Sequence, residues 1–281
     1  MVAKAVASLS PQDPGYFGPG SVSWRIFSHA SYGVSGVAAV LMQALHPVAM
    51  AAVDARSAFR TDAWRRAHLT AGYVLTITFS SRAVAEEAAA RVRQIHRSIG
   101  GVDPASGRDY RADDPELLLW VHAVHTEYSL RGYETFVSRL SPEAADRFVD
   151  EQGEAAALVG LDRGRVPATR EALLAYIASV DGLTPTEPAL AFTRMLLTAR
   201  MPLTMRPFWL LHVAGAFMLL PPDVARAYRL PRRMPRGRLA RASIAAAFWA
   251  INYGYLLFRP MRRARSRLRE VERALRAGMA P

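Results

Sequence analysis

The residues best suited to chemistry lie near the end of one segment, Ser80 to Gly101, where Arg93 precedes His96 by three positions. The segment starts at a serine that can cap a helix, is rich in alanine and stops at paired glycines, which predicts one complete helix. The apolar residues that share the face of His96 are Ala88, Ala89, Val92 and Ile99. We therefore expect the imidazole to project from an apolar wall with a guanidinium nearby.

Two interpretations fit a histidine in this setting. It could hold a haem iron axially, with guanidinium groups pairing the acidic propionates. It could also be a core histidine that hydrogen-bonds a carbonyl group, and this helix alone favours that structural interpretation.

The absence of cysteine narrows the possible chemistry. A chain without cysteine has no disulfide, no thiolate-ligated haem, no cysteine-held iron–sulfur cluster and no cysteine nucleophile. Any haem must therefore be held by His, Tyr or Met.

A polar stripe crosses the helix predicted before this segment. Arg66, Thr70 and Tyr73 follow at spacings of four and three, which places them on one helical face. A solvated face explains the stripe about as well as a pocket wall does, so both interpretations stay open.

A later apolar helix, Leu117 to Phe136, carries several side chains with polar groups. They are Trp120, His122, His125, Thr126 and Tyr133. His122 and His125 could suggest a pair of metal ligands. The nearest carboxylate, Glu127, lies about 200° around the helix from His125 and so does not share its face. The chain also has no HExxH and no repeated ExxH pattern, so a non-haem metal site is disfavoured.

His46 stands before Pro47 in a long apolar stretch, Trp24 to Ala58, that the proline should break into two helices. We expect the ring of His46 to face the interior at this kink. A side-chain cap on carbonyl groups freed by the break explains this histidine at least as well as a catalytic role.

Composition and periodicity favour an all-helical fold. Hydrophobic residues make up 51% of the 281 residues, and alternation of period two is scarce. Residues 1–20 are rich in proline and glycine and predict a flexible arm. No connector is long enough for a domain linker, so we expect residues 21–281 to form one helical domain that ends in an arginine-rich helix.

Local signals place several element boundaries. Asp114 and Ser141, each followed by proline and glutamate, should begin helices. We expect a turn over Phe59 to Asp62, then a helix from about Ala63, and a loop over Val102 to Asp114.

The formal net charge of +12 would suit nucleic acid. A nucleic-acid partner is nonetheless not expected, because the basic residues are nearly all arginine and accompany no recognised nucleic-acid-binding motif. Arginines concentrate beyond Leu230, which would allow peripheral contact with an anionic membrane.

The sequence favours a cytoplasmic location. Its N-terminus lacks the charged-then-apolar layout of a secretory signal. The apolar segment Ala242 to Phe258 is shorter than the roughly 20 residues of a membrane span. A helix buried in the fold is therefore favoured, with a helix on a membrane surface as the second choice.

Five stretches of the chain occur together in one known family. They are GYFGPGSVSWRIF at 15–27, LMQALHPVAMAAV at 41–53, the RxxxT unit from Arg66 to Thr70, TITFSSRAVAEEAAARVRQIHRSIGG at 76–101 and LLLWVHAVHTEYSLRGYETF at 117–136. In this order they resemble the bacterial and fungal oxygenases that include rubber oxygenase (latex-clearing protein) and the MpaB-like oxygenases. With weaker similarity beyond them, the resemblance covers most of residues 15–230.

The resemblance implies an all-helical fold around one haem b, with His96 as the iron ligand and Arg93 as its partner in the motif. It further implies that Arg66 and Thr70 approach the haem from the opposite, distal wall. Where rubber oxygenase has a lysine before this threonine, the chain has Leu69. We therefore expect neither lysine ligation nor polyisoprene as the substrate.

The expected function is a haem-dependent oxygenase or oxidase of an apolar or aromatic organic substrate. Dioxygen or peroxide would react on the face opposite His96, with electrons from a donor. Thr70 and His122 are the candidate catalytic contacts there, with His46 and His212 less favoured. The alternative is a non-catalytic carrier of haem or of a hydrophobic ligand at the membrane surface.

Overall fold

The structure is a computed structural model. It describes residues 8–247, with gaps at 11, 56–58, 104–106, 108, 199–202, 204–205, 230–236, 238 and 241, together with residues 269, 273–274 and 277. For residues 54–55, 59–68 and 208 it describes the backbone only.

Helices dominate the described residues, as the sequence predicts. The first half contains α1 (Val22–Phe27), α2 (Ser31–Gln43), α3 (Pro47–Ala55), α4 (Phe59–Phe79), α5 (Arg82–Arg97), β1 (Gly100–Val102) and β2 (Asp109–Arg111). The second half contains α6 (Pro115–Phe136), α7 (Pro142–Val159), a 3-10 turn (Arg163–Arg165), α8 (Arg170–Ser179), α9 (Glu187–Thr198), α10 (Arg206–Leu219) and α11 (Pro222–Ala227). Residues 242–247 are also helical.

The main core surrounds α2 and α6, which pack along each other, while α10 covers α2. Its largest fully buried side chains include Leu41, Trp120, Tyr128 and Phe217. At the closest approach of the two helices, a Cβ added to Gly132 would collide with the side-chain oxygen of Ser35. Only glycine fits this position of α6 without a shift of its neighbour.

The predicted helix starts are confirmed where the capping signal is local. Asp114 accepts a hydrogen bond from the backbone N–H of Glu116 at 2.8 Å and begins α6. Ser141 accepts from the N–H of Ala144 at 3.3 Å and begins α7. Gly160 ends α7 at φ 103°, a conformation that favours glycine.

The predicted break before Pro47 is also confirmed. Among the described residues no single helix is long and apolar enough to cross a membrane, and α2 with Pro47–Val53 passes that test only as a pair bent by 114°. Nδ1 of His46 accepts from the N–H of Ala49 at 3.2 Å, and its ring lies 6.0 Å from that of Trp120. The histidine thus caps an N–H group of α3, and not the carbonyl groups that we expected.

Residues 12–20 do not form the flexible arm that the sequence predicts. Phe17 is buried against Ala85 and Ala89 of α5. The carboxylate of Asp13 accepts from the N–H of Arg82 at 3.0 and 3.2 Å. This segment therefore packs on the start of α5 and caps it, an arrangement that contacts distant in sequence provide.

Gly15 lies where this segment crosses the α4–α5 corner. Its φ of +78° favours glycine, and a Cβ there would collide with the backbone oxygen of Ser80. The segment and the corner are therefore in direct backbone contact.

Two further boundary expectations are wrong. The helix expected from about Ala63 already begins at Phe59, where a turn was expected. The expected loop after α5 contains an antiparallel hairpin, in which Gly100 pairs with Arg111 and Val102 with Asp109. The hairpin packs against α3, a tertiary contact that local turn signals do not encode.

A buried ionic network connects α6 to its neighbours. Glu127 is 1% exposed and accepts from Nε of Arg131 at 3.0 Å, while Nε of Arg170 lies 3.6 Å from its second oxygen. Arg170 also pairs with Glu134 at 2.9 Å, and Arg131 donates to the carbonyl of Leu219 at 3.2 Å. These contacts join α6, α8 and α10.

The described part of the C-terminal region supports the buried interpretation at one point. Ile244 is 5% exposed and belongs to the main core. The rest of Ala242 to Phe258 beyond residue 247, and most of the arginine-rich tail, lie outside the described residues.

Candidate active site

Helix α5 holds the two residues of the predicted motif on a face that packs into the protein. Ala85 and Ala89 are fully buried against Ile77 of α4 and Leu158 of α7. His96 lies two turns beyond Ala89, in the last turn of the helix. Its side chain is half-buried, and its Nδ1 atom is inaccessible to solvent.

Arg93 fastens the same end of α5 to α7. Its Nη1 donates to the carbonyl oxygen of Leu158 at 2.5 Å. The guanidinium carries five N–H donors in a fixed plane, so this contact leaves donors that can reach a ligand. No carboxylate among the described residues forms an ion pair with Arg93.

Tyr73 of α4 lies near Arg93. Its ring packs with the cluster that contains Ala89 and Leu158, and its hydroxyl is buried without a hydrogen-bond partner among the described residues. Burial raises the pKa of Tyr73 above its usual value, and the nearby positive charge of Arg93 opposes that rise. The phenol is therefore neutral and can donate a hydrogen bond.

An acidic group stands near His96 at the end of the hairpin. Asp113 receives a bidentate hydrogen bond from Arg111, with both contacts at 2.9 Å. This hydrogen bond, and to a smaller extent the proximity of His96, lowers the pKa of Asp113 below its usual value. An ion pair on the hairpin therefore lies near His96.

His122 and His125 lie on α6, three positions apart. The side chain of each is half-buried. Burial nevertheless lowers the pKa of His122 to about 3 and that of His125 to about 4. At neutral pH both imidazoles are uncharged.

Aromatic side chains from α1 and α2 complete this region, and the sequence analysis did not single them out. The ring of His125 stacks on Phe27 at 5.9 Å with an angle of 17°. The hydroxyl of Tyr32 lies 3.4 Å from Nε2 of His125. No signal in the sequence connects these residues, because helical periodicity relates only near neighbours.

Helix α7 packs against both groups. Ala155 and Leu158 pack with the α4–α5 face, whereas Ala156 packs with Leu118 and Leu119 of α6. α5 and α6 therefore flank the same helix, and the residues of both groups lie along it.

Arg163, just after α7, adds positive charge on the α6 side. Its charge contributes to the lowered pKa of His122, after burial and the neighbouring His125. The guanidinium lies across Gly153, where a Cβ would collide with it, and donates to the carbonyl of Asp150 at 2.7 Å. Like Phe27 and Tyr32, Arg163 has no sequence signal that marks it as a site residue.

The remaining predicted site residues are distributed differently. Thr70 is exposed on α4, and Leu69 beside it is 57% exposed. The side chains of Arg66 and His68 lie outside the described part of the chain. His212 of α10 lies against α2, 3.5 Å from where a Cβ of Gly33 would be.

In the part of the chain that the structure describes, the histidines of this region are not clustered with other side chains that could bind a metal ion. Within the described ranges, no three His, Asp or Glu side chains are grouped to hold a metal ion. His122 pairs with Thr126, whose Oγ1 lies 3.5 Å from its Nε2.

These features describe a mostly helical protein in which His125 of α6 contacts the aromatic rings of Phe27 and Tyr32. The chain belongs to the family described as ER-bound oxygenase mpaB/B'/Rubber oxygenase, catalytic domain, whose model matches residues 24–252. No curated protein and no solved structure matches the chain. The family resemblance inferred from the sequence is confirmed, and membership of an oxygenase family makes the chain an oxidoreductase.

Proposed function

We propose that the protein is a haem b-dependent oxygenase or oxidase of an apolar or aromatic small organic substrate, with His96 as the iron ligand. The observation that carries the proposal is the proximity of Arg93 to Tyr73, with His96 about one turn beyond Arg93 on α5. These residues offer an imidazole, a guanidinium and a buried phenol.

The residues present fit haem in three respects. His96 offers an imidazole nitrogen, the usual haem ligand in a chain without cysteine. Arg93 and Tyr73 offer a positive charge and a hydroxyl donor to carboxylate groups. Leu69 and Ile95, on the same two helices, are large apolar side chains that are 57% and 55% exposed, and such surface suits an apolar macrocycle.

Haem bound at this site would supply the redox chemistry that dioxygen or peroxide requires. The chain's own residues supply enclosure and orientation. Tyr32 and His125 offer aromatic surface without charge, supported from behind by the buried ring of Phe27, and such surface favours apolar or aromatic substrates over ionic ones.

His122 is the polar contact that we place beside the substrate. Because burial keeps its imidazole neutral, it can donate or accept one hydrogen bond without bringing a charge into the site. Thr126 can fix which ring nitrogen carries the proton through the contact to Nε2. Thr70 and Arg66 stay candidates on α4 under this proposal, Thr70 as a catalytic contact and Arg66 as a cofactor contact.

The proposal includes an electron donor and a cytoplasmic location. The arginine-rich sequence beyond Leu230 would provide peripheral contact with an anionic membrane. Nucleic acid is not among the proposed partners.

The test combines a spectrum with turnover. The purified full-length protein should show a Soret band, and with a reductant and an aromatic or apolar substrate it should consume dioxygen. A Soret band without turnover of dioxygen or peroxide would favour the non-catalytic carrier. Absence of a Soret band after expression with haem precursor would overturn the haem proposal.

A further inference from the structure

The hydroxyl of Tyr73 is a buried polar group whose role the fold itself does not explain. It has no hydrogen-bond partner among the described residues, although the ring packs within a well-formed apolar cluster. A buried hydroxyl without a partner is costly to the folded state, since it has left water and received nothing in exchange. Phenylalanine would fill the same space without that cost.

Arg93 of α5 lies near the hydroxyl of Tyr73. It lies one turn beyond Ala89, which packs in the cluster of Tyr73, and its Nη1 donates to Leu158, a member of that cluster. No described carboxylate pairs with its charge. A neutral hydroxyl donor and an uncompensated guanidinium thus adjoin one another.

We propose that Tyr73 and Arg93 form a two-point clamp for a carboxylate of a bound ligand. A carboxylate accepts from both an O–H and an N–H donor, and hydrogen bonds to a charged acceptor are the stronger kind. The assignment of this carboxylate to a haem propionate rests on the proposed function. Tyr73 is then a binding residue, separate from the iron ligand.

The clamp is tested with the full-length protein and two probes, haem b and its dimethyl ester, which lacks both carboxylates. Tyr73→Phe should raise the dissociation constant for haem b about 10- to 100-fold, the loss expected for one hydrogen bond to a charged group. It should leave the dissociation constant for the dimethyl ester as in the wild type, because the ester offers no carboxylate to the clamp.

A stability measurement on the haem-free chain gives an independent readout, and Tyr228→Phe is the matched control. Tyr228 is also a buried phenol, but its hydroxyl donates to the carbonyl of Leu41 at 2.6 Å. Tyr228→Phe should therefore lower the melting temperature, whereas Tyr73→Phe should leave it unchanged or raise it.

Three outcomes overturn the clamp. Equal haem affinity of the wild type and Tyr73→Phe would do so, and so would an equal loss of haem and of its ester. A wild type that binds haem and its ester equally would mean that no propionate is clamped, and a substrate carboxylate would become the occupant to examine. If the wild type binds neither probe, the haem proposal itself fails and this assignment fails with it.

Discussion

The hydroxyl of Tyr32 lies 3.4 Å from Nε2 of His125, although the two residues are 93 positions apart in the chain. The ring of Tyr32 also stands edge-on to the imidazole, 5.9 Å away at 84°. The contact brings α2 against the wall of the site on α6. It encloses His125 in aromatic surface and keeps it uncharged.

The enclosure of His122 and His125 predicts a pH-dependent stability. Burial lowers their pKa to about 3 and about 4 in the folded chain, whereas the unfolded chain titrates near 6.5. Unfolding therefore takes up protons between these values. Stability should be fully present above about pH 6.5 and fall as the pH drops toward 4, by about 1.4 kcal/mol per pH unit for each histidine.

Urea unfolding between pH 5 and pH 7.5 measures this slope. His125→Gln should reduce this slope by the contribution of one histidine, about 1.4 kcal/mol per pH unit. Tyr32→Phe should leave the slope unchanged, because burial and not the hydroxyl lowers the pKa. A wild-type slope that His125→Gln does not alter would contradict the assignment.

His96→Ala should abolish haem retention or weaken it greatly, because the imidazole is the proposed iron ligand. His46→Ala is the matched control, since His46 caps α3 through the N–H of Ala49. It should cost about 1 kcal/mol of stability and retain haem. Soret absorbance per mole of protein measures both effects. Full occupancy with an unchanged spectrum in His96→Ala would move the ligand elsewhere, with His122 the next choice.

Leu69 should leave the sixth coordination position open, because its side chain has neither a donor nor a lone pair. The ferric protein should be five-coordinate or bind water, and should take up cyanide or imidazole readily. Leu69→Lys should convert it to a six-coordinate low-spin form, while the control Leu174→Lys, on α8, should not. The prediction fails if the wild type is already low-spin with two histidine ligands and His68→Ala turns it high-spin.

Gly15→Ala should destabilise the fold by about 2 kcal/mol or more. The substitution meets a positive φ and a collision with the backbone oxygen of Ser80 at once. At Gly20 no atom lies within 4 Å of the added Cβ, so Gly20→Ala should change stability by no more than about 0.5 kcal/mol. Denaturant midpoints compare the two, and equal midpoints would rule out the close packing of this segment.

Glu127→Ala should cost about 1 to 3 kcal/mol, because Arg131 and Arg170 lose their shared carboxylate but keep partial exposure and their other partners, Leu219 and Glu134. Glu187 pairs with Arg194 on the exposed surface of α9, and Glu187→Ala should cost no more than about 1 kcal/mol. Urea denaturation at pH 7.5 provides the comparison. Similar costs for both variants would mean that the buried network contributes little.

What the sequence could predict depended on the range of the interactions involved. The starts at Asp114 and Ser141 were predictable because each cap binds an N–H two or three residues away. Asp13 caps α5 from 69 residues away, and the hairpin after α5 depends on its packing against α3, so both were missed. The position of His96 follows from periodicity within one helix.

The residues of the candidate site also differ in whether local sequence could predict them. His122 and His125 could be singled out from one segment, but their neutral state follows from enclosure by several helices. Phe27, Tyr32 and Arg163 could not be found, because nothing local to them distinguishes a site residue from a core or surface one. Contacts between residues of different helices form only when the helices pack together, so the sequence of one segment cannot predict them.

The contact between Gly132 and Ser35 limits how α6 can move against α2. α6 fits so closely against α2 there that sliding or rolling of one helix over the other would force side chain into backbone. The helix that carries His122 and His125 is therefore held firmly against α2. The backbone amides of α6 near Gly132 should therefore exchange with deuterium more slowly than those of α4 and α5.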